Sequence, residues 1–111
     1  MCDMTEKEIQ NEIIRTFGTR SDMRIWRMNV GAAKFADGRA VQFGVPGQAD
    51  LTGILPGGRR LEIEVKSATG RQSKDQKRYQ KMIERYDGLY ILARSVDDVW
   101  AVLQKFLAPV V

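Results

Sequence analysis

Asp50, Glu64 and Lys66 are the residues whose types and spacing suit chemistry in this chain. Glu64 and Lys66 stand two apart, and in a strand such residues share a face. Asp50 opens the extended segment before them, so a hairpin brings it alongside. Two carboxylates converging on one place repel unless a cation joins them. A hard divalent ion such as Mg²⁺ takes oxygen ligands and keeps several waters, and the backbone carbonyl of Val65 offers a further oxygen. Lys66 would then orient the attacking water or stabilise charge on phosphoryl oxygens. The plain alternative is a surface strand laced by a Glu–Lys pair. Glu62 lies on the same face as a spare carboxylate.

Positioning these residues calls for strands over 50–55 and 60–66, joined at Pro56-Gly57-Gly58. In the second, Leu61, Ile63 and Val65 face one way and Glu62, Glu64 and Lys66 the other. Thr5 with Glu8 and Ser73 with Gln76 read as capping boxes, opening helices over 5–17 and from 73 to about 85. Ile9, Ile13, Ile14 and Phe17 form the stripe of the first helix. Tyr79, Met82, Ile83 and Tyr86 form that of the second. Residues 24–30, 39–44 and 89–94 read as strands, Gly31 to Gly38 as a turn or irregular arm. Ser95 opens a last helix carrying Val99, Val102, Leu103 and Phe106. The order is α-β-β-β-β-α-β-α, an α/β domain spanning 1–111 with helices packed against a mixed sheet.

The composition narrows the chemistry. Among 111 residues there is no histidine and one cysteine, Cys2. Histidine-dependent zinc sites, Ser-His-Asp triads, cysteine clusters and an internal disulfide are excluded. No window approaches the length of a membrane span, and no signal-peptide pattern opens the chain. The expectation is a cytoplasmic protein without a membrane partner.

Lys and Arg total 18 against 14 acids, a formal charge of +4. Its distribution says more than its size. Half of the basic residues fall between Arg59 and Arg85, among them Arg71, Lys74, Lys77, Arg78 and Lys81. Such a face neutralises phosphates without reading bases, or is simply a solvated helix surface. Lys34 and Arg39 flank the Gly-rich turns and read equally as phosphate contacts or ordinary surface.

Asp37-Gly38-Arg39, Phe43-Gly44-Val45-Pro46-Gly47-Gln48-Ala49-Asp50, Ile63-Glu64-Val65-Lys66, Gly70-Arg71-Gln72-Ser73-x-x-Gln76 and Ala93-Arg94-Ser95 follow one another in order. Together with Gly31-Ala32-Ala33 and Gly53, this text resembles the small VRR-NUC domains (virus-type replication-repair nucleases) of the PD-(D/E)xK superfamily. The resemblance implies a restriction-endonuclease-like core and Mg²⁺- or Mn²⁺-dependent hydrolysis of DNA, structure-selective for branched, flapped or junction-like substrates. It implies Asp50 and Glu64 as metal ligands, Lys66 as the catalytic lysine and Gln76 as the glutamine opening the next helix beside the site. It also implies a helix-1 acid, Glu8 or Glu12, completing the site, and a homodimer. The proline that usually precedes the aspartate is absent, since Ala49 stands there. The rival function is a DNA-structure-binding module that does not cleave.

Other residues have plainer readings. Gln76 and Glu8 serve as third residues of capping boxes, which is compatible with a site role. Trp26 and Trp100 read as core or interface anchors rather than base-stacking platforms, and Tyr79 and Tyr86 as core. Gly31, Gly44 and Gly47 read as tight backbone geometry near the site.

Overall fold

A computed structural model of the chain describes residues 4–28, 31–34 and 36–108, without the side chains of 31–34 and 41–43. In chain order the elements are α1 (Glu6–Phe17), β1 (Arg24–Arg27), β2 (Gly31–Lys34), β3 (Ala40–Phe43), β4 (Leu51–Ile54), β5 (Arg60–Val65), α2 (Lys74–Arg85), β6 (Leu89–Ala93) and α3 (Val96–Leu103).

Strand β5 organises the packing because its two faces differ in kind. Leu61, Ile63 and Val65 are buried on one side, and Glu62 and Glu64 are buried on the other. A strand covered on both faces belongs inside a sheet, and the observed order is β1-β4-β5-β6. β1/β4 and β4/β5 pair antiparallel, joined in the second case by a tight 3₁₀ turn at Pro56–Gly58. β5 and β6 are parallel and therefore need a crossover, which α2 supplies.

The two sheet faces are covered unequally. Ile9, Ile13 and Phe17 of α1 join Val99 and Leu103 of α3 over Leu51, Leu61, Ile63, Val65, Ile91 and Ala93. Each such large aliphatic or aromatic side chain contributes about 1.5–3 kcal/mol by leaving water. The opposite cluster is small: Tyr79 and Ile83 of α2 meet Ala49, Tyr90 and the half-buried Leu92. Both capping boxes form with reciprocal bonds, Thr5 with Glu8 and Ser73 with Gln76.

Four expectations change. Residues 31–34 form a strand rather than an irregular arm, pairing with 40–43 around the Asp37-Gly38 turn. The order is thus α-β-β-β-β-β-α-β-α. This hairpin is a two-stranded sheet of its own, so 39–44 does not join the main sheet. Met82 and Tyr86 are not on an inner face: they are 40% and 75% exposed. α2 packs on β6 and ends at Arg85, which places Tyr86 beyond the covered surface. Trp26 is 45% exposed, which removes the core half of its reading as a core or interface anchor. It lies on edge strand β1, outside the reach of α2. Trp100, by contrast, packs its ring 4.8 Å from that of Phe17.

Candidate active site

The pairing of β4 with β5 places Leu51 opposite Ile63 and Thr52 opposite Glu62. One step beyond, Asp50 is brought against Glu64. The Asp50 backbone carbonyl accepts the Met28 amide at 2.9 Å, which ties the end of β1 to the same place. Asp50 Oδ2 accepts the Val65 amide at 2.8 Å, so its carboxylate is aimed along β5 rather than into solvent. Val65 has its side chain in the core, which leaves its backbone to serve the site.

Glu64 is only 2% exposed and shares its charge environment with three partners. Gln76 Nε2 donates to Glu64 Oε2 at 3.0 Å, and Lys66 Nζ stands 3.6 Å from that same oxygen. The other oxygen, Oε1, is buried, and among the described residues no donor reaches it. Burial, and then the adjacent Asp50 carboxylate, push the Glu64 carboxyl up to about 8, against the opposing pull of Lys66. An orphaned buried carboxylate oxygen beside a second carboxylate must take up either a proton or a cation. The donor set therefore fits a hard divalent ion, with Asp50 and Glu64 as its two carboxylates. Mg²⁺ sites commonly use one or two carboxylates and leave other positions to water and phosphate oxygens.

The surface-strand alternative does not hold, because Glu62 and Glu64 are buried beneath α2. Glu62 is not a spare ligand at the pair either. It accepts the Tyr79 hydroxyl and lies 3.5 Å from Arg60 Nη2. Burial and the Glu62 carboxylate raise the Tyr79 hydroxyl above its ordinary range.

Neither expected helix-1 acid is gathered with Asp50 and Glu64. Glu8 accepts the Thr5 amide at 3.1 Å and is spent on the cap. Glu12 forms no group with the pair: among the described residues, no three acids, cysteines or histidines come together as a metal cluster. The α1 acid that does reach this end of the sheet is Glu6, whose Oε2 accepts the Ser67 amide at 3.3 Å. Its position was legible in the helix phase, three residues before Ile9 on the buried stripe.

Arg94 and the Gln72–Tyr90 pair were also missed. Arg94 Nη1 donates to the carbonyls of Ser67 and Gly70, holding the loop that follows Lys66. Gln72 Nε2 bonds Gln80 Oε1 at 2.9 Å and the Tyr90 hydroxyl at 3.1 Å. Burial, with the charges of Glu64, Asp50 and Glu62, pushes the Tyr90 hydroxyl up to about 12. The parallel register of β5 with β6 creates these contacts, and spacing within one segment does not reveal it.

Arg71, Lys74, Lys77, Arg78 and Lys81 are all exposed along α2 and the loop before it. Arg78 pairs with Asp75 at 3.1 Å. Arg39 binds Asp37 at 2.7 Å beside the hairpin turn. Lys34 lies in β2, and its side chain is outside the described residues.

No protein-family model matches the chain, and no curated protein shows significant similarity to it.

Proposed function

We propose that the chain is a divalent-metal-dependent hydrolase of DNA phosphodiester bonds, with Asp50, Glu64 and Lys66 as its working groups. The observation that carries this reading is the unpartnered, buried Glu64 Oε1 beside Asp50, with Lys66 on the same strand face. Lys66 offsets one of the two charges, so the crowded carboxylates still call for a proton or a further cation. The resemblance to VRR-NUC domains supplies the substrate class, branched or distorted DNA, and the homodimer as its assembly.

Asp50 and Glu64 would hold Mg²⁺ or Mn²⁺, which supplies Lewis-acid polarisation and a lowered water pKa. Gln76 keeps Glu64 oriented by its bond to Oε2. Lys66 orients the attacking water and offsets negative charge on the phosphoryl oxygens. Arg71, Lys74, Lys77 and Lys81 hold the flanking phosphates, a contribution that weakens with salt.

Purified protein incubated with duplex, flap and four-way DNA and Mg²⁺ or Mn²⁺ should cut at least one substrate. Lys66→Ala should abolish cutting with the fold intact. Tight binding without cleavage on every substrate, with no metal uptake, would establish the non-cleaving binding module instead.

A further inference from the structure

The half of the sheet that α2 leaves uncovered carries an exposed tryptophan, and in the row beside it Ile54 stands between two arginines. Trp26, Met28, Thr52, Ile54 and Arg60 line a shallow depression of about 380 Å³. That volume lies within the range of small-ligand sites. Arg24 stands on the same face, two residues before Trp26 and opposite Ile54. Arg60 comes from the next strand, opposite Ile54 on its other side. Its guanidinium is oriented by the buried Glu62 beneath it, yet its side chain is 56% exposed. Among the described residues, no acidic side chain lines the depression.

From this arrangement we infer a binding site for an unpaired nucleotide, with Trp26 as the stacking surface for the base and Arg24 and Arg60 as phosphate contacts. The inference rests on the nuclease reading and narrows its substrate to DNA with a single-stranded portion beside the cut.

Position argues for it first. Met28 lies opposite Asp50, so Trp26 is one strand over and two residues along from the candidate metal ligand. Strand geometry makes that separation about 8 Å. A stacked strand rises about 3.4 Å per nucleotide, so the platform serves a base two or three positions from the scissile phosphate. Charge argues next. An apolar floor flanked by guanidiniums matches a base flanked by phosphates. Intact duplex fits poorly, since its base faces are already stacked.

The test separates this site from the cleavage reading. Binding of fluorescein-labelled oligothymidine, an abasic oligomer of equal length and a blunt duplex is measured by anisotropy with EDTA present. The intact chain should prefer oligothymidine to the abasic strand. Trp26→Ala should weaken oligothymidine binding about tenfold, leave duplex binding within twofold and leave the melting temperature unchanged. Trp26→Phe should restore most of the preference. Equal binding of oligothymidine by Trp26→Ala and the parent overturns the site, as does a change of oligomeric state in that variant. If no DNA is cut under any condition but the Trp26-dependent preference is present, the nuclease reading fails and the platform stands. If cutting depends on Lys66 but binding is blind to Trp26, only the platform fails.

Discussion

Gln76 bonds in two directions at once: its Oε1 accepts the Ser73 amide at 2.8 Å while its Nε2 donates to Glu64 Oε2 at 3.0 Å. One side chain therefore caps α2 and orients the buried carboxylate. The two roles separate by substitution. Gln76→Glu keeps an oxygen for the cap but sets a carboxylate against Glu64, where like charges repel. Its thermal stability should fall more at pH 8 than at pH 5.5, and cleavage should fall with it. Gln76→Ala loses both bonds and should cost about 1–2 kcal/mol by denaturant unfolding, with a smaller rise toward alkaline pH than Gln76→Glu because no second carboxylate is added.

Glu64 sets a pH dependence of stability whose sign follows from its raised carboxyl. The folded value is about 8 and the ordinary value 4.5. Between the two the folded chain binds more protons than the unfolded chain, so stability falls as pH rises through that window. The stabilisation is complete below 4.5 and lost above 8, at a rate of at most about 1.4 kcal/mol for each step of one in pH. Asp22, held down to about 2 by Arg20, stays ionised throughout and does not interfere. Melting measured from about pH 5.5 to 8.5 in EDTA should show this decline. Glu64→Gln should remove it and stabilise the chain at the alkaline end, while abolishing cleavage. A slope unchanged in Glu64→Gln would place its origin elsewhere.

Divalent ions should act through the same two carboxylates. Mg²⁺ or Mn²⁺ should raise the melting temperature of the intact chain at pH 8. Asp50→Asn retains an oxygen able to accept the Val65 amide, so its fold should persist. Its melting temperature should be insensitive to either ion. An equal ion-induced shift in Asp50→Asn and the parent would exclude Asp50 as a ligand.

The residues that local pattern places were legible, and those that long-range register places were not. Alternation over 61–66 puts Glu62, Glu64 and Lys66 on one face, and the Pro56-Gly57-Gly58 turn brings Asp50 alongside. Both capping boxes followed from three-residue spacing. The burial of Glu62 and Glu64 was not legible, because it depends on α2 crossing over β5 and β6. The same crossover leaves Trp26 bare, a consequence of how far one helix reaches rather than of any property of residues 24–27. Glu6 was overlooked in favour of Glu8 and Glu12 although it stands three residues before Ile9 and its carboxylate reaches the Ser67 amide. β2, Gly31–Lys34, is a short alanine-containing segment with no bulky alternation, so pairing with β3 rather than composition makes it a strand.

Arg94 should act as a positioning residue for the Lys66 loop. Its guanidinium bonds two carbonyls, those of Ser67 and Gly70, from the end of β6. Arg94→Ala should speed amide exchange at Ser67 and Gly70, whose own contacts to Glu6 and the Ser67 hydroxyl are too few to hold the loop. Turnover should drop several-fold with the Mn²⁺-induced melting shift unchanged. Arg94→Lys should restore part of the turnover, because both bonds come from the single nitrogen Nη1 and an ammonium also carries several donors on one nitrogen.

Gly47 joins the loop before β4 to the first turn of α2 by an approach that permits no side chain. A Cβ there would lie 2.2 Å from the Asp75 carbonyl oxygen and 2.7 Å from the Gln76 amide nitrogen, and φ is +78°. Gly47→Ala must therefore either separate the loop from α2 or move the turn that carries Gln76. The expected loss exceeds about 2 kcal/mol, the sum of left-handed strain and a backbone clash. Gly57 has a similar φ of +84°, but a Cβ there would meet nothing within 4 Å, so Gly57→Ala isolates the strain alone. It should cost about 1–2 kcal/mol and leave cleavage untouched. Gly47→Ala should lose more stability and, in the fraction still folded, cleave more slowly than the parent. Equal losses in the two variants would show that the loop yields without disturbing α2.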